Sequence, residues 1–154
     1  MTIDDDIAFL ERIPILSRLG PQALRILAIG GESYRVEPGQ VLFTAGDTAD
    51  AAYIVQRGSF GLSAHGRGEV EHIAGPGTLL GESAMLAETK RPATAIARED
   101  STVLRISRAM FLKMLEGYPE AAHRLREVIA ARTDQWAREI ENVRAALAPG
   151  DKQK

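Results

Sequence analysis

The chain has 154 residues, 45% of them hydrophobic and 26% charged, with a formal net charge of −2, the mix of one globular domain large enough to build its own core. It contains no cysteine, which excludes disulfides, thiol nucleophiles, iron–sulfur clusters and thiolate zinc sites and fits a reducing compartment. Residues 1–100 carry 9 basic and 14 acidic side chains and residues 101–154 carry 10 and 7, a split too mild to be a DNA footprint.

Aromatic residues make up 5%, too few for a single-strand stacking platform. The histidines are His65, His72 and His123, with no two at i, i+2 or i, i+4. The paired spacing of a cupin metal site is therefore missing, and neither a metal nor a cofactor is expected. No run approaches the ~20 apolar residues of a membrane span. Three aspartates near the start and no uninterrupted apolar run argue against a secretory leader, so a cytoplasmic protein is expected.

The chain opens with Asp4 to Asp6, which supply a cap and favourable charge at a helix start. Ile7, Leu10 and Ile13 follow at spacing three as one apolar stripe, and Pro14 should stop that helix. Gly20-Pro21 reads as a turn and a second helix start. Ala23, Leu24, Leu27 and Ala28 form its buried stripe, and Gly30-Gly31 ends it.

From Glu32 to about Ile106 short apolar runs alternate with glycine turns at Pro38-Gly39, Gly46-Asp47, Arg57-Gly58, Gly66-Arg67-Gly68 and Gly75-Pro76-Gly77. This spacing marks an antiparallel sandwich or barrel. The expected strands are 32–36, 40–44, 52–57, 59–64, 69–74, 78–80, 92–98 and 101–106. Ser107 can cap a helix through about Glu116, which Gly117 breaks. Pro119 then opens a long helix to about Ala148, with Glu120–Arg124 and Asp134–Arg138 as exposed i, i+4 pairs. Leu125, Ile129, Arg132, Trp136, Ile140, Val143 and Leu147 lie on one face, apolar except for Arg132. A helix of roughly 30 residues would be about 45 Å long, more than a small β-domain covers, so its outer part needs a partner and a homodimer is expected.

The fold class is thus α+β, mainly β: an eight-stranded antiparallel jelly roll with short N-terminal helices and a long C-terminal helix. The organisation is a helical segment over 1–30, a β-region over 31–106, C-terminal helices over 107–148 and a tail over 149–154.

The segment 77–97, GTLLGESAMLAETKRPATAIA, carries the chemistry. A strand meets Gly81, where the chain can turn sharply. Glu82 to Leu86 has helical propensity over one to two turns, and the free N–H groups at its start form an anion site. Glu82 sits at that same end, where a carboxylate needs donors of its own, such as sugar hydroxyls. Nine residues on comes Arg91, a permanent cation with a fork of donors suited to phosphate oxygens. Donors, cation and carboxylate together suit a ligand with both a phosphate and a ribose.

This segment resembles the phosphate-binding cassette of the cyclic nucleotide-binding domain family, whose members include the catabolite activator protein and the protein kinase A regulatory subunits. The family pattern, Phe-Gly-Glu-x-Ala-Leu, a short loop, then arginine and small residues, has its counterpart in Leu80-Gly81-Glu82-Ser83-Ala84-Met85, with Leu80 in place of the aromatic, and in Arg91-Pro92-Ala93-Thr94-Ala95. The upstream stretch 38–60 also resembles the family, with Gly39, Gly46-Asp47, Tyr53 and Gly58 in the expected places.

The resemblance implies that Arg91 pairs with the cyclic phosphate and that Glu82 accepts the ribose 2′-hydroxyl. Backbone N–H groups near Ser83 and Ala84 would hold the phosphate, and Gly81 would permit close approach. Pro92 and Ala93 stand where the family places small residues; Pro92 brings no N–H. A threonine or serine at the Pro92 position goes with cyclic GMP in the family, so its absence points towards cyclic AMP. Trp136 aligns near the base, either as a stacking lid or as a seam residue of a helix dimer.

The implied function is a cyclic nucleotide sensor that transmits binding through the C-terminal helix to an unidentified effector, with no direct DNA binding, no membrane and no catalysis. The alternative is a family fold with a silent cassette that serves dimerisation or protein interaction.

Overall fold

The computed structural model describes residues 3–64, 70 and 72–128. Helix α1 spans Ile3–Glu11 with Asp4, Asp5 and Asp6 in its first turn, where carboxylates offset the positive end of the helix dipole. It ends before Pro14, and tight turns carry the chain to Gly20. Helix α2 spans Pro21–Gly30 with proline at its start, as expected of a residue whose missing N–H costs nothing there. It ends at Gly30-Gly31, as expected. Gly31 is extended (φ −74°, ψ 155°) and its N–H donates back to the Leu27 carbonyl, so no left-handed glycine closes this helix.

Among the described residues ten strands follow: β1 (Glu32–Val36), β2 (Val41–Phe43), β3 (Thr48–Ala49), β4 (Ala51–Arg57), β5 (Phe60–Ser63), β6 (His72–Ala74), β7 (Leu79–Leu80), β8 (Thr89–Lys90), β9 (Thr94–Ala97) and β10 (Ser101–Ser107). One antiparallel sheet has the order β1-β10-β4-β7, a second has the order β2-β9-β5-β6, and β3 pairs with β8 alone. The eight strands of the two larger sheets lie where the turn spacing put them: β1 has the expected bounds, β4 and β10 are each one residue longer, and the other five are shorter by one to three residues. The expectation of eight strands is corrected by the β3–β8 pair, whose two-residue strands are too short to show periodicity.

The central strands of the first sheet, β4 and β10, are buried on both faces. Ala52 and Ile54 of β4 and Leu104 and Ile106 of β10 face the helices, in a core with Leu10, Ile13, Leu16, Leu24, Leu27, Phe111 and Met114. The alternate residues Val55 and Val103 face the second sheet, with Val36, Phe60, Leu80, Ala95 and Ala97. Successive strand side chains point to opposite faces, so a strand between two cores reads as an unbroken apolar run, as Ala51–Val55 does.

Helix α3 spans Arg108–Gly117, and the Ser107 hydroxyl oxygen accepts from the Met110 N–H at 3.2 Å. Ser107→Ala is expected to cost about 1 kcal/mol, read as a melting point lower by roughly 2–4 °C. Residues 119–128 are again helical, with the Glu120–Arg124 pair formed at 3.6 Å. The remainder of the expected long helix, with Trp136 and the Asp134–Arg138 pair, lies outside the described residues, as does His65. Among the described residues no helix is long and apolar enough to cross a membrane.

Candidate functional site

Between β7 and β8 the chain turns at Gly81, which adopts the left-handed conformation (φ 75°, ψ 39°), and enters a single 3-10 turn, Glu82–Met85. The expected helical segment of one to two turns is thus a 3-10 turn that ends one residue earlier, at Met85. The turn uses the Ala84 N–H itself, which donates to the Gly81 carbonyl at 3.0 Å. Ala84 and Met85 are buried, and Met85 joins the helical core. Full burial of a side chain of that size contributes about 1.5–3 kcal/mol, which ties the turn to the helices. Ser83 is exposed, Pro92 exposed and Ala93 half-buried.

Arg91 is only 5% exposed. Two features fix it there. Its backbone is clamped by the Gly46-Asp47 turn: the Arg91 N–H donates to the Asp47 carbonyl at 2.8 Å, and the Gly46 N–H donates to the Arg91 carbonyl at 2.8 Å. That turn is closed by Asp47, whose N–H donates to the Thr44 carbonyl and whose carboxylate accepts from the Thr44 N–H. Nearby, the Thr94 hydroxyl accepts from the Ala45 N–H at 2.9 Å. The Gly46-Asp47 signature therefore has a physical role: it aims the arginine.

The guanidinium is the second anchor. Nη2 donates to the Ala51 carbonyl at 2.7 Å. Cζ lies 4.4 Å from the centroid of the Phe43 ring and 5.5 Å from that of Tyr53, and the two rings stack at 5.9 Å with 30° between their planes. Nη1 is buried and has no hydrogen-bond partner among the described residues. It lies against Gly81, where any β-carbon would collide with it. Burial pulls the Arg91 pKa below the ordinary guanidinium value, while Tyr53, Asp50 and Asp47 act in the opposite direction. A guanidinium stays charged through such shifts.

The structure therefore brings Gly81 onto Arg91. Glu82, next in the chain, is half-buried and lines a cavity of about 620 Å3 with Ile13, Pro14, Ile15, Arg18, Gly77, Thr78, Leu79 and Val128. Arg91 is not one of that cavity's walls. Phe43 and the Ala51 carbonyl went unnoticed in the sequence, and Tyr53 stood there only as a family position. These groups come from strands of different sheets, so no local spacing joins them. No cluster of metal-ligating side chains occurs among the described residues.

Known proteins resemble this chain in sequence and in fold. The profile of the cyclic nucleotide-binding domain matches residues 34–118. The cyclic AMP receptor protein of Thermus thermophilus is 34% identical over 123 residues, 77% of this chain and 56% of that protein. The cAMP-dependent protein kinase regulatory subunit of Yarrowia lipolytica is 34% identical over 107 residues, 70% of this chain and 28% of that protein. The chain thus spans about half or less of these curated relatives. Among solved structures, a cyclic nucleotide-binding-like protein from Brucella abortus superposes with a TM-score of 0.67 at 39% identity, covering 73% of this chain and 99% of the other. With the profile matching more than half of its length, the chain belongs to the cyclic nucleotide-binding domain family.

Proposed function

We propose that this chain is a regulatory module that binds a 3′,5′-cyclic nucleotide, cyclic AMP in preference to cyclic GMP, and passes the event on through its C-terminal helix. The observation that carries this is the buried, unpartnered Nη1 of Arg91. Leaving a buried donor unsatisfied costs about 1–3 kcal/mol, and more on a charged group. A phosphate oxygen relieves that cost, and the single charge of a cyclic phosphate matches a single arginine. Gly81 admits Nη1 at a place that any β-carbon would occupy.

In this proposal Glu82 accepts the ribose 2′-hydroxyl and the backbone near Ser83 and Ala84 completes the phosphate cradle. The Ala84 N–H, bound to the Gly81 carbonyl, would share its proton in a three-centre bond, as happens at helix ends. Pro92 offers no N–H, and Ala93 supplies only a small side chain beside it. Two things support cyclic AMP: Pro92 stands where the family has threonine or serine with cyclic GMP, and both curated relatives above are named for cyclic AMP.

Transmission rests on Met85 and Val128. Met85 packs in the core that also holds Leu125, and Val128 lines the cavity of Glu82. A shift of the 82–85 turn therefore reaches the helical stretch 119–128. A ligand moves that helix only by discriminating between two arrangements of it. Trp136 as a lid or a dimer seam, a homodimer along the 125–147 face, and an effector protein complete the proposal.

A second reading has one observation in its favour. Arg91 already rests on two rings and a carbonyl, which would suit a silent, structural cassette. Calorimetric titration of the purified chain separates the two. Saturable heat is expected with both nucleotides, tighter with cyclic AMP; no heat with either would leave the silent cassette.

A further inference from the structure

An arginine buried this far usually faces a carboxylate. The arginine–carboxylate pairs among the described residues join Arg35 to Asp100, Arg105 to Glu32 and Asp50, and Arg124 to Glu120; none involves Arg91. Its charge is instead set over the face of Phe43, with Tyr53 stacked beside it. Ring faces carry negative electrostatic potential and attract a cation without taking up its N–H groups. A carboxylate would do the reverse, occupying the donor fork and cancelling the charge that an incoming anion needs.

We infer that Phe43 and Tyr53 are positioning residues for the anion site: they hold the Arg91 guanidinium flat and desolvated while leaving Nη1 unneutralised for a phosphodiester oxygen. This rests on the proposed cyclic nucleotide reading. Phe43 belongs to β2 of the second sheet and Tyr53 to β4 of the first. The shelf therefore spans the gap between the sheets and fixes the arginine relative to both. The Ala51 carbonyl, two residues before Tyr53, takes Nη2. Carbonyl and shelf together set the tilt of the guanidinium and the direction of Nη1. Pre-setting that direction removes ordering cost from binding.

The test is a calorimetric titration with cyclic AMP of the wild-type chain and of Phe43→Met, Phe43→Tyr and Tyr53→Phe, with thermal melts of each. Methionine approximates the volume without an aromatic face. Phe43→Met is expected to weaken binding about three- to thirty-fold, whereas Phe43→Tyr and Tyr53→Phe, which keep the faces, stay within about twofold. A purely structural ring would show a lower melting point with unchanged affinity in Phe43→Met, and that result overturns the inference while the cyclic nucleotide reading stands. Equal losses in Phe43→Met and Phe43→Tyr overturn it too. Should Phe43→Met fail to fold, Tyr53→Met carries the same comparison from the second ring, and failure of both to fold would make the rings core residues and end the inference. Absence of binding in the wild-type chain instead removes the reading on which it rests.

Discussion

Replacing Arg91 with alanine is expected to weaken cyclic AMP binding by about 2–5 kcal/mol, thirty-fold or more, measured by calorimetric titration. The change removes the cation that a cyclic phosphate would meet. The expected effect on folding is much smaller, because two terms oppose. Losing the 2.7 Å bond leaves the Ala51 carbonyl without its donor, a cost of about 1–3 kcal/mol. Against that, alanine removes a buried charge whose Nη1 has no partner, which relieves a desolvation penalty. The melting curve should therefore stay cooperative and move little. Arg91→Lys sharpens the result. Lysine keeps the charge but presents a point ammonium instead of a planar fork, and it stacks less well on a ring. It cannot satisfy Ala51, the Phe43 face and a phosphate oxygen in the same geometry, so most of the affinity should go with it. Wild-type heats from a folded Arg91→Ala chain would sink the binding proposal.

How much of this was legible in the sequence depends on how local each feature is. Ser107 capping α3 and Pro21 opening α2 are decided within four residues, and both were visible. The glycine turns were visible because each separates two apolar runs. Gly81 could be singled out by its place between a strand and Glu82, and its left-handed φ of 75° gives that choice a conformational reason. The β3–β8 pair was not legible, since Thr48-Ala49 and Thr89-Lys90 owe their pairing to the turn that clamps Arg91. The setting of Arg91 was hidden for a related reason. Its spacing from Glu82 could be counted along the chain, but the Phe43 and Tyr53 faces, the Ala51 carbonyl and the Asp47 carbonyl arrive from 38 to 48 residues away in sequence. Such groups meet only after two sheets have closed on each other. The same closure explains Ala51–Val55, an unbroken apolar run that serves two cores at once.

The largest expected loss of stability comes from Gly58, at the passage from β4 in one sheet to β5 in the other. Gly58 has a φ of +83°, a conformation that costs a residue with a β-carbon about 1–2 kcal/mol. A β-carbon there would also stand 2.7 Å from the Ser101 α-carbon and collide with the Ser101 hydroxyl. That hydroxyl, on a residue 1% exposed, accepts from the Ser59 N–H at 3.1 Å and donates to the Glu99 carbonyl at 2.9 Å. Backbone, and not a flexible side-chain tip, would have to yield. Gly39 supplies the control, with the same φ of +83° and nothing within 4 Å of its would-be β-carbon. Gly39→Ala should therefore lose only the conformational cost, about 1–2 kcal/mol in denaturant unfolding. Gly58→Ala should lose about 2–4 kcal/mol, lowering the melting point by roughly 5–15 °C. Equal losses in the two variants would show that the Ser101 contact yields freely. The excess at Gly58 has a functional consequence as well. Moving the start of β10 displaces Val103, which packs with Phe60 in the core between the sheets, against which Phe43 and Tyr53 also rest. A Gly58→Ala chain that still folds should thus bind cyclic AMP more weakly than the Gly39→Ala chain, although neither position touches Arg91.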